Sequence, residues 1–167
     1  MTFTYCPNCG NKLIPKLAGD DGQVPYCSHC ARFWFPTFSD CIIVLVANEF
    51  QELALVQMPY LSTQYESFVS GYMKPGESAE ETTEREIYEE LGLKVTDIQP
   101  DGTHWFNGHD MLMHGFMSTT KKQSLVRSPE LGSARWVPAK EAGQFMFPDK
   151  PGNTASILYR HYLQQMA

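Results

Sequence analysis

Residues 71–93 read GYMKPGESAEETTEREIYEELGL, and this stretch decides how the rest of the chain is read. Pro75-Gly76 is a turn signal, and from Ser78 to Leu91 the apolar residues recur with helical periodicity. Gly92 follows where a helix ends on a left-handed residue. On such a helix Glu86, Glu89 and Glu90 stand at i, i+3 and i+4, so their carboxylates project from one face. Like charges in that arrangement repel and raise one another's pKa, whereas a divalent cation turns the same group into hard oxygen ligands. Magnesium or manganese suits them. A solvated acidic face is the plainer reading, and it serves for Glu80, Glu81 and Glu84. For the other three it leaves the i+4 repulsion without a structural benefit.

Working outward, CIIVLVA at 41–47 is a continuous apolar run that predicts a buried strand, with Cys41 packed in it as a small hydrophobe. A second strand is expected at Glu52–Gln57, and YESFVSG at 65–71 leads into Gly71. Beyond the helix, apolar alternation predicts strands around Val95–Ile98 and Met111–Thr119, a strand at Ala134–Val137, and a last helix over Thr154–Gln165. Strands outnumber helices without a regular βαβ series. An α/β fold with a mixed sheet covered by helices follows.

Towards the N-terminus, YCPNCG at 5–10 and YCSHC at 26–30 place Cys6, Cys9, Cys27 and Cys30 in a C-x2-C-x17-C-x2-C pattern. This is the spacing of a structural zinc ribbon, in which four thiolates close a tetrahedral shell and leave no open position for catalysis. Gly10 is expected to take a positive φ that turns backbone N–H groups towards sulfur. His29 is read as a surface residue of the second knuckle. So small a module buries little core, which is why it needs metal to fold. With only Lys12, Lys16 and Arg32 as cations it is too weakly basic to track phosphates, so a packing or dimerisation role is favoured. The boundary falls near Pro36 to Asp40, giving a zinc ribbon over 1–38 and a main domain over 39–167.

Composition sets further bounds. The chain has 167 residues, 43% hydrophobic and 19% charged, room for one medium domain and a small module. Its 13 basic and 19 acidic residues leave a formal charge of -6, so no cationic field gathers nucleic acid or an anionic membrane. The longest apolar run is too short to span a bilayer, and the start MTFTYCPNCG lacks the regions of a signal peptide. A cytoplasmic protein is expected, and paired cysteines fit a reducing compartment.

The segment at 71–93 is similar to the Nudix signature G-x5-E-x7-R-E-U-x-E-E-x-G-U, where U is a bulky aliphatic residue. Gly71, Glu77, Arg85, Glu86, Ile87, Glu89, Glu90, Gly92 and Leu93 supply every fixed position. The resemblance implies a Nudix α/β/α sandwich and a metal-dependent pyrophosphohydrolase that cleaves a nucleoside diphosphate linked to a group X. Glu86, Glu89 and Glu90 would then hold magnesium or manganese, with Glu89 the first choice of general base. Arg85 has Glu81 and Glu89 within reach on its own helix, while the resemblance pairs it with Glu77; both Arg85 and Glu77 are read as scaffolding that orients the ligands.

The order of ribbon, then FPTFSDCIIVLV at 35–46, then the box resembles the NADH pyrophosphatases. LMHGF at 112–116, PELGSARW at 129–136 and PGNTAS at 151–156 match in the same order. Carried over residue by residue, Ser70 offers a backbone carbonyl to metal, Glu130 is a metal ligand outside the box, Tyr72 stacks on the adenine, and Ala155 contacts substrate through its backbone. The plainer readings stand beside these: Tyr72 as a half-buried strand residue, Glu130 as a turn carboxylate. The chain departs from the family at DGTHWFNGHDM, 101–111, where the proline-rich specificity element is missing. Trp105 and Phe106 there either stack a base or pack in the core, and His104, His109 and His114 lie on a loop or strand without binding metal. A short ribbon-Nudix form, without the large N-terminal domain of longer family members, is expected.

The substrate is accordingly expected to be NADH or NAD first, ADP-ribose or a related dinucleotide second, and NAD-capped RNA third because the surface is acidic. A nucleotide-sensing regulator without turnover is the alternative from another class, and the intact set of carboxylates speaks against it. A structural interaction module, working as a homodimer through the ribbon, is a third.

Overall fold

The computed structural model describes residues 2–95, 97–106 and 109–166. It divides into two compact units, Met1–Phe38 and Ser39–Ala167. The smaller unit is an antiparallel sheet of β1 (Ile14–Leu17), β2 (Gln23–Cys27) and β3 (Arg32–Phe33) in that order. Its own apolar core is small: Cys6, Leu13 and Cys27 are buried, with Phe3, Cys30 and Trp34 packed against them. So little burial does not hold a fold by itself.

The larger unit contains β4 (Ser39–Asn48), β5 (Glu52–Gln57), β6 (Val69–Tyr72), α1 (Ala79–Leu91), β7 (Ile98–Phe106), β8 (Met111–Thr120), β9 (Ser133–Pro138), α2 (Ala139–Ala142) and α3 (Thr154–Gln165). The sheet runs β7-β8-β4-β5-β9, and β6 pairs with the first half of β4. β4 and β8 are parallel; the other pairs are antiparallel. The central place of β4 explains its unbroken apolar run, since both of its faces are covered and every residue from Cys41 to Asn48 is buried. Ile42, Val44 and Val46 pack with Ile87 and Leu91 of α1. Ile43, Leu45 and Ala47 pack on the other face with Ala139 and Ala142 of α2 and Ala155 and Leu158 of α3. The result is an α/β/α sandwich around a mixed sheet. Among the described residues no helix is long and apolar enough to cross a membrane.

Two elements differ from the sequence reading. The strand expected around Val95–Ile98 begins at Ile98 and continues through DGTHW to Phe106, with a bulge between Pro100 and Thr103. Gly102 takes a positive φ of 87° there, and ladder pairing with β8 carries residues of poor strand propensity into the sheet. Thr96, in the expected strand, and Asn107 and Gly108, in the segment 101–111, lie outside the described residues. The four-residue α2 had no sequence signal.

Candidate functional site

The box helix is set by its caps. Gly76 turns the chain at φ 95°, Ser78 accepts the Glu81 N–H, and the Glu81 carboxylate accepts the Ser78 N–H, a reciprocal capping box. At the far end Gly92 adopts φ 68° and its N–H reaches the Tyr88 carbonyl. Glu81 is thereby engaged at the helix start, and of the expected partners Arg85 takes both Glu77 and Glu89. The guanidinium binds Glu77 in bidentate fashion, Nε to Oε1 at 2.8 Å and Nη2 to Oε2 at 2.9 Å. Nη2 also donates to the Tyr72 carbonyl at 3.2 Å, and Nη1 donates to Glu86 at 2.7 Å and Glu89 at 3.0 Å. Arg85 is the hub that ties β6, the preceding loop and the carboxylate face together. Hydrogen bonds from Arg85, and then from the Lys74 N–H and the Thr82 hydroxyl, hold the Glu77 carboxyl down to about 2 against the cost of burial.

The three carboxylates of the helix are not equivalent. Glu89 is half exposed, at 51%, whereas the Glu86 side chain is 13% exposed and Glu90 8%. Burial pushes Glu86 up, with Arg85 opposing. Burial, and then the charges of Glu86, Glu130 and Glu89, push Glu90 up to about 8. Desolvation, ahead of the mutual repulsion expected from the i+4 spacing, is the larger cause at both. Oε2 of Glu90 is buried without a hydrogen-bond partner among the described residues, as is the hydroxyl of Ser128, whose N–H binds the Glu90 carbonyl. Among the described residues no three of these carboxylates come within 4.8 Å of one another. A buried carboxylate oxygen with no donor beside it is a group that a cation would satisfy, and in that respect the donor set fits a divalent ion.

Gly71 allows Glu86 to take its place. A Cβ on Gly71 would meet Glu86 Cδ and Oε1 at 2.1 Å. Next to it on β6, Ser70 pairs with Ile43 and Tyr72 with Cys41, and the Tyr72 ring is 63% exposed. Glu130 sits exposed in the turn before β9, its charge felt at Glu90. Ala155 is buried in the first turn of α3, behind the N-cap Asn153, which accepts the Ser156 N–H. The strand register separates Trp105 from Phe106. Trp105 pairs with Leu112 and Phe106 with Met111, so the two rings point to opposite faces of β7. Phe106 packs against the α2/α3 core and stacks on His109 at 5.6 Å, while Trp105 is 44% exposed. The histidines have local partners: His104 near the Asp101 carbonyl at 3.4 Å, His114 near Asp40 at 3.3 Å.

One aromatic beside the carboxylates gave no sign in the sequence. Tyr60, in the loop after β5, has its hydroxyl under the influence of Glu90, Glu130, Tyr72 and Glu86. It lies 26 residues before Glu86, and the return of β6 beside β4 brings the two parts of the chain together.

In the smaller unit the sulfurs of Cys6, Cys9, Cys27 and Cys30 all lie within 4.8 Å of one another. Gly10 has φ 75°, but its N–H goes to the Cys6 carbonyl at 2.9 Å rather than to a sulfur. Other N–H groups do turn towards sulfur: those of Asn8 and Cys9 to Cys6, that of Asn11 to Cys9, and that of Cys30, 3.4 Å from Cys27 Sγ. Ala31, at φ 50°, takes in the second knuckle the left-handed place that Gly10 takes in the first. Cys6 is brought down to about 6, burial being outweighed by hydrogen bonds from the Asn8 and Cys9 N–H groups and from neighbouring thiols. Cys9, despite the Asn11 N–H, is pushed up to about 12 by burial and the adjoining sulfurs. Four thiols so close cannot all ionise without a cation, and the cluster is suited to hold one. His29 is exposed, away from that role.

Comparison with known proteins agrees with this geometry. The family model described as NUDIX domain matches residues 37–159. The chain is 34% identical over 134 residues to the NAD-capped RNA hydrolase NudC of Pseudomonas putida (strain W619), covering 79% of this chain and 47% of that protein. It is 33% identical over 142 residues to the chloroplastic Nudix hydrolase 19 of Arabidopsis thaliana, 79% of this chain and 32% of that one. The chain thus spans half or less of the length of these relatives. In fold it is similar to the crystal structure of a NUDIX hydrolase from Nitrosomonas europaea, with a TM-score of 0.77 at 14% identity over 98% of this chain and 92% of that one. It is also similar to the NUDIX domain of Shewanella oneidensis NrtR, solved with ADP ribose, with a TM-score of 0.66 at 14% identity over 85% and 94%. With its signature complete on the capped helix and the family model matching most of its length, this chain belongs to the Nudix family.

Proposed function

We propose that the chain hydrolyses the diphosphate linkage of a nucleoside diphosphate joined to a second group, with NADH or NAD as the first substrate to test. The observation that carries this reading is Glu90: a buried carboxyl pushed up to about 8, one oxygen unpartnered, beside Glu86 over the gap at Gly71. The names of the NudC relatives support the choice of an NAD-type substrate.

Glu86 and Glu90, with Glu130 and the Ser70 carbonyl, are the groups we assign to hold magnesium or manganese. Bound there, the cation would neutralise the diphosphate and lower the pKa of a water. Arg85 fixes the carboxylates of Glu86 and Glu89 by charge-assisted hydrogen bonds, and Glu77 in turn fixes Arg85. Glu89 is the base we favour, because it alone of the three is open to solvent and can take the proton of the attacking water. The water oxygen bonds to one phosphorus, the bridging P–O bond breaks, and its electron pair leaves with the departing phosphate. Tyr72 offers an open ring for a base, and the N-terminal turn of α3 around Ala155 offers backbone N–H groups.

The zinc ribbon, 1–38, is assigned a structural ion held by Cys6, Cys9, Cys27 and Cys30, and 39–167 the hydrolase. The test is an assay with magnesium or manganese against NADH, NAD, ADP-ribose, dinucleoside polyphosphates, nucleotide sugars and a short NAD-capped RNA, with products identified by mass. Release of a nucleoside monophosphate is expected from NADH or NAD. Its release from none of them overturns the reading.

A further inference from the structure

The loop between β5 and β6 places an unassigned side chain beside the carboxylates. It is short and tied down. Leu61 and Ser62 donate their N–H groups to the Met58 carbonyl, and Gln57 Nε2 donates to the Thr63 carbonyl at 2.8 Å. The loop leans on the strand that follows Glu130: the Gly132 N–H donates to the Gln57 carbonyl at 2.8 Å, and a Cβ on Gly132 would meet Gln57 Oε1 at 2.6 Å and Pro59 at 3.1 Å. Tyr60 therefore follows directly on Pro59, which lies close to Gly132, two residues beyond Glu130. Its hydroxyl lies 3.1 Å from Met58 Sδ, and the same sulfur is 4.0 Å from Ser70 Oγ. Met58 thus links the Tyr60 hydroxyl to Ser70, and Pro59 brings Tyr60 near the segment of Glu130, whose charge is felt at the phenol; Ser70 and Glu130 are the two groups outside the box that were assigned to the cation.

The ring of Tyr60 is open, 71% exposed, while its hydroxyl is turned in on the thioether. A thioether is a weak acceptor, so the phenol O–H is satisfied poorly and can be given up at little cost. We propose that Tyr60 is a substrate-binding residue whose phenol leaves Met58 and donates to a phosphate oxygen of the diphosphate held at Glu86, Glu90 and Glu130. This rests on the hydrolase reading above for the location of the diphosphate. A phenol is un-ionised near neutral pH and keeps its O–H to donate.

The experiment compares the wild type with Tyr60→Phe and Tyr60→Ala, each in the full chain with magnesium. Binding of adenosine α,β-methylene diphosphate, which keeps the phosphate oxygens and cannot be cleaved, is measured by calorimetry beside binding of adenosine. Tyr60→Phe is expected to weaken the diphosphate about tenfold or more, the usual loss for one hydrogen bond to a charged group, and to leave adenosine unchanged. Thermal unfolding of Tyr60→Phe should match the wild type, since only a weak O–H···S contact is removed. Equal affinity of wild type and Tyr60→Phe for the analogue overturns the proposal. So does a pattern in which only Tyr60→Ala loses affinity, and loses it for both ligands, because that is base stacking. The binding readout does not depend on turnover. A wild type that binds the analogue through Tyr60 but cleaves no substrate refutes the hydrolase reading and leaves this contact standing.

Discussion

A methyl group on Gly71 would stand 2.1 Å from both Cδ and Oε1 of Glu86. The backbone of Gly71 is ordinary strand, paired with Ile42, so the missing side chain serves the carboxylate and not the chain's conformation. Gly71→Ala is expected to push the Glu86 carboxylate out of place and lower kcat/KM about a hundredfold, the scale of a misplacement of about 1 Å. Its melting temperature should stay close to that of the wild type. Activity within threefold of the wild type would show that Glu86 does not need this gap.

Arg85 makes five hydrogen bonds with one planar group, and two of them run in parallel to Glu77. Lysine keeps the charge and loses the fork. Arg85→Lys should raise the magnesium concentration for half-maximal activity by roughly ten- to a hundredfold, as expected when a residue that orients metal ligands is lost. A magnesium titration of initial rates checks it, and an unchanged midpoint would remove Arg85 from that role.

Glu90 makes the stability of the cation-free protein depend on pH. Below the unfolded value, 4.5, the carboxyl is protonated in both states; between there and about 8 the unfolded chain releases the proton while the folded chain retains it. The folded state then binds more protons, so stability falls as pH rises through that window and levels off above it. In buffer without magnesium or manganese, the melting temperature of the wild type should drop between pH 5 and pH 8 by more than that of Glu90→Gln. Added magnesium should restore the wild type at pH 8. Parallel pH profiles for the two proteins would contradict the buried, strained carboxyl.

The four sulfurs within 4.8 Å of one another predict about one zinc per chain by elemental analysis. Removal of the ion with a strong chelator should strip amide-exchange protection from β1, β2 and β3 and leave β4 and β8 protected, because the larger unit has two apolar layers of its own. Protection retained in β2 after the metal is gone would mean that the small core suffices.

Trp105 and Phe106 are adjacent in sequence and opposed in space. Phe106→Ala should cost stability, about 2 to 3 kcal/mol for a partly buried ring, with Trp105→Ala costing much less. Denaturant unfolding of the two variants measures the difference, and equal losses would contradict the register of β7.

What the sequence by itself determined follows from local chemistry. The capped helix, its terminating Gly92, the carboxylates at i, i+3 and i+4, the apolar run of β4 and the two cysteine pairs all depend on residues within a few positions of one another. Spacing suffices to read them. The tertiary structure decided what depends on distant residues meeting. Ladder pairing with β8 made a strand of DGTHW and so put Trp105 and Phe106 on different faces. Arg85 reaches back eight residues to Glu77 and also binds Glu86 and Glu89, while Glu81 caps the helix instead. Glu90 is the plainest case: in sequence it is one of three like glutamates, and only the packing of α1 on the sheet and the return of the chain past Ser128 and Glu130 bury it. Burial is a property of the whole fold, and desolvation, which separates these three carboxylates chemically, comes with it.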